Sequence, residues 1–327
     1  MTRFALLSSL FVVVVAAVSG CALTDHPTQP APLTSTAMPT WSEVGVGPVE
    51  HDAVVSARWA VELSGLLDLD SDAAKAAGLV DDKTNIVLPV HVLRHPTAGT
   101  FVIDTGVDED FASGGEGPAS GLVKSYLSEM KAERSLKSIL DAEDKVAGVI
   151  LTHMHLDHVL GLRDVPHDVP VYMGPQETHA EDPMHLLMHG TYDALLDGRP
   201  ALQELSFAPA SSASSASGIQ GVIDLVGDGS IYVLWTPGHT SGSLSVVART
   251  TDGPKLFTGD TSHTLWGWAH GVPPGTFTAD GAQNKVALDA LKAVFAQLPH
   301  GEVFVGHELD GEDTGVPQPR LAAAQSR

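Results

Sequence analysis

The stretch Val149-Ile-Leu-Thr-His-Met-His-Leu-Asp-His158 holds His153, His155, Asp157 and His158 within six residues. It lies directly behind an apolar run with the composition of a buried strand. Neutral imidazoles and carboxylates are the donors zinc prefers, and the turn closing a strand can aim several at one point. Further on, in order, come Pro237-Gly-His239-Thr, Thr258-Gly-Asp260-Thr and Val305-Gly-His307-Glu. Each follows a β-branched or aromatic run (residues 231–235, 255–257 and 303–305), so each is expected at a strand end.

Together these motifs resemble the metallo-β-lactamase superfamily, whose metal loop reads H-x-H-x-D-H, and the resemblance spans residues 86–307. It implies an α/β fold, an αββα sandwich of two mostly antiparallel or mixed sheets with helices outside and the metals along one edge. It further implies two divalent metal ions, taken as Zn2+. His153, His155 and His239 would hold the first, Asp157, His158 and His307 the second, and Asp260 would bridge them. Nitrogen and oxygen donors also accept iron, manganese and cobalt, so the metal's identity stays open here. Two dications against Asp157, Asp260 and a bridging hydroxide leave about one positive charge to polarise a carbonyl or phosphoryl oxygen. The expected reaction is direct hydrolysis by that hydroxide, with Asp157 among the catalytic groups. Neither a G-x-S-x-G elbow nor a phosphate-cradling G-x-x-x-x-G-K-[ST] loop is present.

Asp260 separates branches of the superfamily. Its β-lactamases carry Cys or Ser at this position, so lactonases, glyoxalase-type thioesterases and phosphoesterases fit better. The Leu88-Pro-Val, Phe101-Val-Ile-Asp-Thr-Gly106 and Gly259-Asp-Thr-Ser segments look most like N-acyl-homoserine lactonases. The resemblance implies a small-molecule carbonyl ester, a lactone, as substrate, and makes Asp104-Thr-Gly106 a structural turn beside the metals. Where those lactonases place a substrate-contacting tyrosine, three residues past the bridging aspartate, this chain has His263. Imidazole can also donate a hydrogen bond or a proton, which makes His263 a candidate catalytic group. Another hydrolase of this fold (thioesterase, phosphoesterase or β-lactamase-like) is the alternative. A zinc-binding lipoprotein without turnover is further off, since structural zinc sites close with four protein ligands.

The 327 residues carry 18 basic and 40 acidic side chains, net −22. Such a balance excludes nucleic acid as partner, because counterion release requires a basic surface. Met1-Thr-Arg3 precedes an apolar stretch, residues 4–18, that is too short for a comfortable membrane span. It ends in Val18-Ser-Gly-Cys21, which resembles a bacterial lipoprotein lipobox. Residues 1–20 are therefore expected as a signal peptide. Residues 21–40 are read as a lipidated Cys21 with a disordered Pro/Thr/Ser-rich tether, and 41–327 as a single hydrolase domain. This places the protein in the bacterial cell envelope, on the membrane through a lipid anchor only. Loss of Arg3 leaves 17 basic against 40 acidic side chains, net −23. Cys21 is the only cysteine, so no disulfide forms within the chain. Nothing in the sequence sets an oligomeric state.

Strands are expected at 53–61, 86–93, 100–103, 146–151, 169–173, 221–226, 230–235, 243–248 and 255–258, with a hairpin across 94–99. Helical spacing joins Leu122, Tyr126 and Met130, then Leu136, Ile139 and Leu140, and finally Val286, Leu288, Leu291, Val294, Phe295 and Leu298. Met184, Leu187, Met188, Tyr192 and Leu195 form an apolar stripe, interspersed with His185, His189 and Asp193. It lies where the superfamily inserts substrate-covering elements, so it is a candidate pocket wall. Trp266 and Trp268 are further candidates to line the pocket, and residues 208–218 read as a flexible surface loop.

Overall fold

Apolar residues alternate along the strands, and the two sets of side chains go to different layers. Ile150 points inward while Val149 and Leu151 point outward, and Leu244, Val246 and Ala248 point inward while Val247 points outward. The computed structural model describes residues 22–115, 117, 119, 121–179, 183–208, 218–311 and 314–317, without the side chains of residues 183–186.

The strands run β1 (Thr28–Pro30), β2 (Ser35–Thr36), β3 (Glu50–Glu62), β4 (Lys83–His95), β5 (Gly99–Ile103), β6 (Lys131–Ala132) and β7 (Val146–Ile150). They continue with β8 (Val171–Met173), β9 (Leu202–Glu204), β10 (Gly221–Asp224), β11 (Ile231–Trp235), β12 (Leu244–Thr250), β13 (Gly253–Phe257) and β14 (Glu302–Phe304). The helices are α1 (Leu63–Leu66), α2 (Asp72–Ala77), α3 (Glu109–Ala112), α4 (Gly121–Leu127), α5 (Leu136–Leu140) and α6 (Leu156–Val159). Then come α7 (Pro183–Leu196), α8 (Leu265–His270) and α9 (Gly281–Phe295).

Eight strands form one mixed sheet in the order β1-β9-β8-β7-β5-β4-β3-β6, and six form the other, β14-β13-β12-β11-β10-β2. Between the sheets lies a shared core that includes Leu93, Phe101, Ile103, Ile150, Ile231, Val233, Val246 and Phe257. A second core, with Val149, Leu151, Leu136, Tyr192 and Leu195, lies under helices on the outer face of the larger sheet. A third, with Val222, Leu234, Val247, Leu288 and Leu291, lies under α8 and α9. Three cores in this order make the expected αββα sandwich, because each sheet can be apolar on both faces only if both are covered.

Residues 22–40 depart from the expected tether. Leu23 and Ala31 are buried, β1 pairs in parallel with β9, and β2 pairs with β10. Thr24 Oγ1 donates to Asp193 Oδ1 at 2.5 Å, tying the segment to α7. Proline is compatible with an edge strand, which needs few ladder donors, so composition alone misread the segment. Two helix faces also differ from expectation. On α4 the buried residues are Val123 and Leu127, while Leu122 and Tyr126 are exposed. On α9 Val286 is exposed and Asn284 is buried. Cys21 and residues 209–217 lie outside the described residues.

Candidate metal centre

Strand β7 ends at Ile150, and the turn into α6 carries the whole H-x-H-x-D-H loop. The other candidate donors stand one per turn: His239 after β11, Asp260 after β13 and His307 after β14. The fold thus brings every sequence-predicted ligand to one edge of the sandwich. His239 Nε2 lies 3.1 Å from His153 Nε2 and 2.9 Å from His155 Nδ1. On the other side, His307 Nε2 and His158 Nε2 lie 3.4 Å and 3.7 Å from Asp157 Oδ2. Asp260 Oδ2 sits between the groups, 3.1 Å from His307 Nε2, 3.4 Å from His158 and His239 Nε2, and 3.7 Å from His153 Nε2.

These donors fit a pair of metal ions. Three ring nitrogens converge on one point, and a tetrahedral zinc would set such nitrogens about 3.4 Å apart. His158 Nε2 and Asp260 Oδ1 are buried without a hydrogen-bond partner among the described residues. Unpartnered buried polar atoms are costly unless an ion or water completes them. Burial, then the neighbouring imidazoles, holds His153 and His239 well below the usual histidine pKa, so their lone pairs are free at neutral pH. Burial works against charge on His158 and Asp260 as well. Asp260, Asp104 and Asp157 nevertheless hold His158 well above its ordinary value, and His307 and His158 hold Asp260 well below its own.

The far side of each ring is fixed, which sets tautomer and aim. His158 Nδ1 faces Asp104 Oδ2 at 2.8 Å, and Asp104 also accepts from Thr152 N at 2.7 Å. Asp104 holds a left-handed backbone (φ 58), a conformation Asp tolerates better than most residues. His307 Nδ1 donates to Val87 O at 3.1 Å, and His239 Nδ1 pairs with Thr278 Oγ1 at 3.1 Å. Gly306 is required beside Asp260, because a Cβ there would lie 2.1 Å from Asp260 Oδ1.

Sequence reasoning missed Glu177 and Glu308. Glu177 is buried and accepts from Met154 N at 2.7 Å, Gly242 N at 2.9 Å and the Thr240 hydroxyl. One carboxylate therefore holds the metal loop to the turn carrying His239. Glu308 accepts from Leu265 N at 2.8 Å and fixes the start of α8 just after His263. Glu308 adjoins a motif histidine, which was a usable signal, whereas nothing local marks Glu177.

His263 is buried with its Nε2 3.0 Å from Asp260 Oδ2, and its Nδ1 donates to Leu66 O at 3.2 Å. It faces the cluster, as expected. Above this floor opens a cavity of about 660 Å³ walled by Trp59, Leu122, Tyr126, Leu187, Met188, Tyr192 and Phe277. Lysine and arginine are absent from its lining among the described residues. Helix α7 thus supplies a wall, as its apolar stripe suggested. Trp266 and Trp268 do not: Trp266 packs in the core of the larger sheet and Trp268 under α9. Their place is taken by Trp59, whose strand β3 runs past the opening.

The family described as the metallo-beta-lactamase superfamily matches residues 89–307. Among curated relatives, the N-acyl homoserine lactonase AttM of Azorhizobium caulinodans is 26% identical over 231 residues, covering 69% of this chain and 83% of the relative. The gamma-lactamase MBL2 of Gibberella moniliformis is 28% identical over 172 residues, covering 50% of this chain and 70% of the relative. Among solved structures, a mutant of B. thuringiensis AiiA with N-decanoyl-L-homoserine at its active site gives a TM-score of 0.55 at 18% identity. It covers 80% of this chain and 93% of its own. The dizinc quorum-quenching lactonase AidC gives 0.53 at 13% identity, covering 80% and 88%.

Proposed function

Because this chain belongs to the metallo-beta-lactamase superfamily, we propose that it is a binuclear metal-dependent hydrolase that opens a neutral lactone bearing an apolar acyl chain. One observation carries the reading: seven convergent donors lie at the floor of a pocket whose walls are apolar and, among the described residues, carry no lysine or arginine. The anionic groups of phosphoesters and charged thioesters would find no lysine or arginine on the described walls to pair with, whereas an apolar acyl chain finds apolar contact. The AttM relatives, described as N-acyl homoserine lactonases, support the same choice.

His153, His155, His239, Asp157, His158, His307 and Asp260 would hold two metal ions, which would supply Lewis acidity and water acidified to a pKa of roughly 7, and zinc suits this donor set. The chain's own residues do the rest. The walls take the acyl tail out of water and leave the carbonyl over the floor. Asp157, whose side chain is 17% exposed against 4% for Asp260, faces the pocket and accepts a hydrogen bond from the attacking water. His263, clamped between Leu66 O and Asp260, polarises the carbonyl oxygen from the Asp260 side.

Metal-replete protein assayed against lactones, thioesters, phosphoesters and lactams tests this. Lactones should give the highest kcat/KM, rising with acyl length by up to about fourfold per buried methylene. A thioester, phosphoester or lactam turned over faster would replace the lactone reading. Metal content without any turnover would leave a metal-binding protein only.

We further propose that Cys21 is lipidated after removal of residues 1–20, placing the domain in the bacterial cell envelope. Ala22 bridges to His179 and Leu23 is buried, so an anchor at Cys21 would hold the body close to the membrane. Cys21→Ser should release the protein from the membrane fraction, and wild type in the aqueous phase of a detergent split would refute it.

A further inference from the structure

We propose that the hydroxyl of Tyr126, on α4, donates a hydrogen bond to the departing oxygen of the substrate. The proposal rests on the ester-hydrolysis reading of the pocket and adds a group that neither the motifs nor the resemblance identified.

The argument begins with the donors available around the pocket. Tyr192 spends its hydroxyl on Met154 O at 2.6 Å. Thr278 Oγ1 is paired with His239 Nδ1. His263 gives its Nδ1 proton to Leu66 O and turns its Nε2 towards Asp260 Oδ2 at 3.0 Å. Of the hydroxyls lining the pocket, those of Tyr126 and Thr276 make no hydrogen bond among the described residues. Tyr126 is the one with a long, braced ring, which packs edge-on against Trp59 (centroids 4.7 Å apart, planes at 80°). A rigid ring with a free phenol delivers a donor at little entropic cost.

Placement separates its role from that of His263. His263 reaches the floor beside Asp260, whereas Tyr126 stands on the wall, near enough to Asp157 for that charge to act on its phenol. Two groups in separate places, one beside Asp260 and one near Asp157, suit the two oxygens of an ester, the carbonyl and the one that leaves. Burial, and then the Asp157 charge, pushes the Tyr126 phenol up, so it stays protonated and donates throughout the working pH range. As the carbon–oxygen bond breaks, its electron pair goes to the departing oxygen. Tyr126 stabilises that charge by a hydrogen bond, and the proton that finally neutralises it comes from solvent.

The test compares Tyr126→Phe with wild type, both metal-loaded, on esters of one acyl group with an alkyl or a 4-nitrophenyl leaving group, and on the matching lactone. The phenylalanine keeps the ring against Trp59, and metal analysis checks that the centre is intact. Expected is a kcat loss of about 10- to 100-fold on the alkyl ester and lactone, the cost of one hydrogen bond to a developing charge. On the 4-nitrophenyl ester, whose leaving group needs little help, the loss should stay under about threefold. Equal losses on both esters, or no loss, overturn the role of Tyr126 while leaving the hydrolase reading in place. Hydrolysis of esters but not lactones would overturn the lactone reading alone. Absence of ester and lactone turnover would overturn both.

Discussion

On the floor of the pocket His153, His158, His239, His263, Asp260 and His307 are at most 5% exposed, and the rings' remote nitrogens are held by carboxylate, hydroxyl or carbonyl partners. On the walls Leu122 is 73% exposed, Leu187 59%, Tyr126 47% and Phe277 38%. The floor is a buried polar network, in which each member's cost of desolvation is met only if its partners stay in place. The walls are apolar area, contributed by a short helix, one face of α7 and a loop, and apolar contact is non-directional. Reaction type is therefore fixed by geometry that tolerates little change, while substrate preference is set by surfaces free to vary. Substitutions on the floor should cost orders of magnitude, and those of the walls' apolar side chains, Leu122, Leu187 and Phe277, should cost factors.

Asp260→Asn should have the largest effect, since it removes the one charge shared by both donor groups. Metal content should fall from two towards one per chain, and turnover by more than the roughly 10²-fold typical of losing an outer partner. Unchanged occupancy by elemental analysis would show that Asp260 is not the bridge. Next, His263→Ala should cut kcat by about 10²–10⁴-fold with metal content intact, and His263→Tyr should recover much of the loss on lactones. Lost metal in His263→Ala would instead make it a ligand. Glu177→Ala lies a step further out. It leaves Met154 N and Gly242 N unpaired and should weaken metal affinity about 10- to 100-fold, read by chelator competition. An effect no larger than that of replacing an apolar wall residue such as Leu187 would break the contrast between floor and walls.

The smallest effect concerns a third environment, between the sheets and away from the pocket. His51 Nε2 lies 3.2 Å from His91 Nδ1, with Lys255 Nζ 3.3 Å from His51 Nδ1. Burial, followed by the Lys255 charge, lowers His51 to about 4 from 6.5. The unfolded chain takes up a proton below pH 6.5 that the folded chain refuses, so this group's stability contribution is full above 6.5 and is lost as pH falls towards 4. In urea titrations His51→Asn should flatten the decline in stability between pH 6.5 and 4 by at most one proton, relative to wild type. An identical slope would show that His51 titrates normally.

Much of the floor was legible from residue order. The metal loop follows an apolar run, and His239, Asp260 and His307 each follow another, because a strand leaving the core must turn at the sandwich edge. Such signals are local, as are the apolar and β-branched runs that marked β7, β11 and β12. The walls were less legible. Leu122 and Tyr126 show helical spacing, as core residues do, yet they face the cavity, and Trp266 and Trp268 sit close to Asp260 in sequence but pack elsewhere. Spacing says that residues share a face, not which neighbour that face meets.

By itself the sequence determined the donor set, the strands that present it and the sandwich these motifs imply, since each depends on residues within one turn of the chain. Tertiary structure alone decided what holds and covers the donors. His158 is aimed by Asp104 across 54 residues, His263 by Leu66 across 197 and His307 by Val87 across 220. Tertiary structure also placed Thr28–Pro30 beside Leu202–Glu204, where composition had suggested a free tether. The physical reason is the same in each case: a backbone carbonyl, a carboxylate or an edge strand carries no sequence mark of its partner until sheet pairing brings the two together.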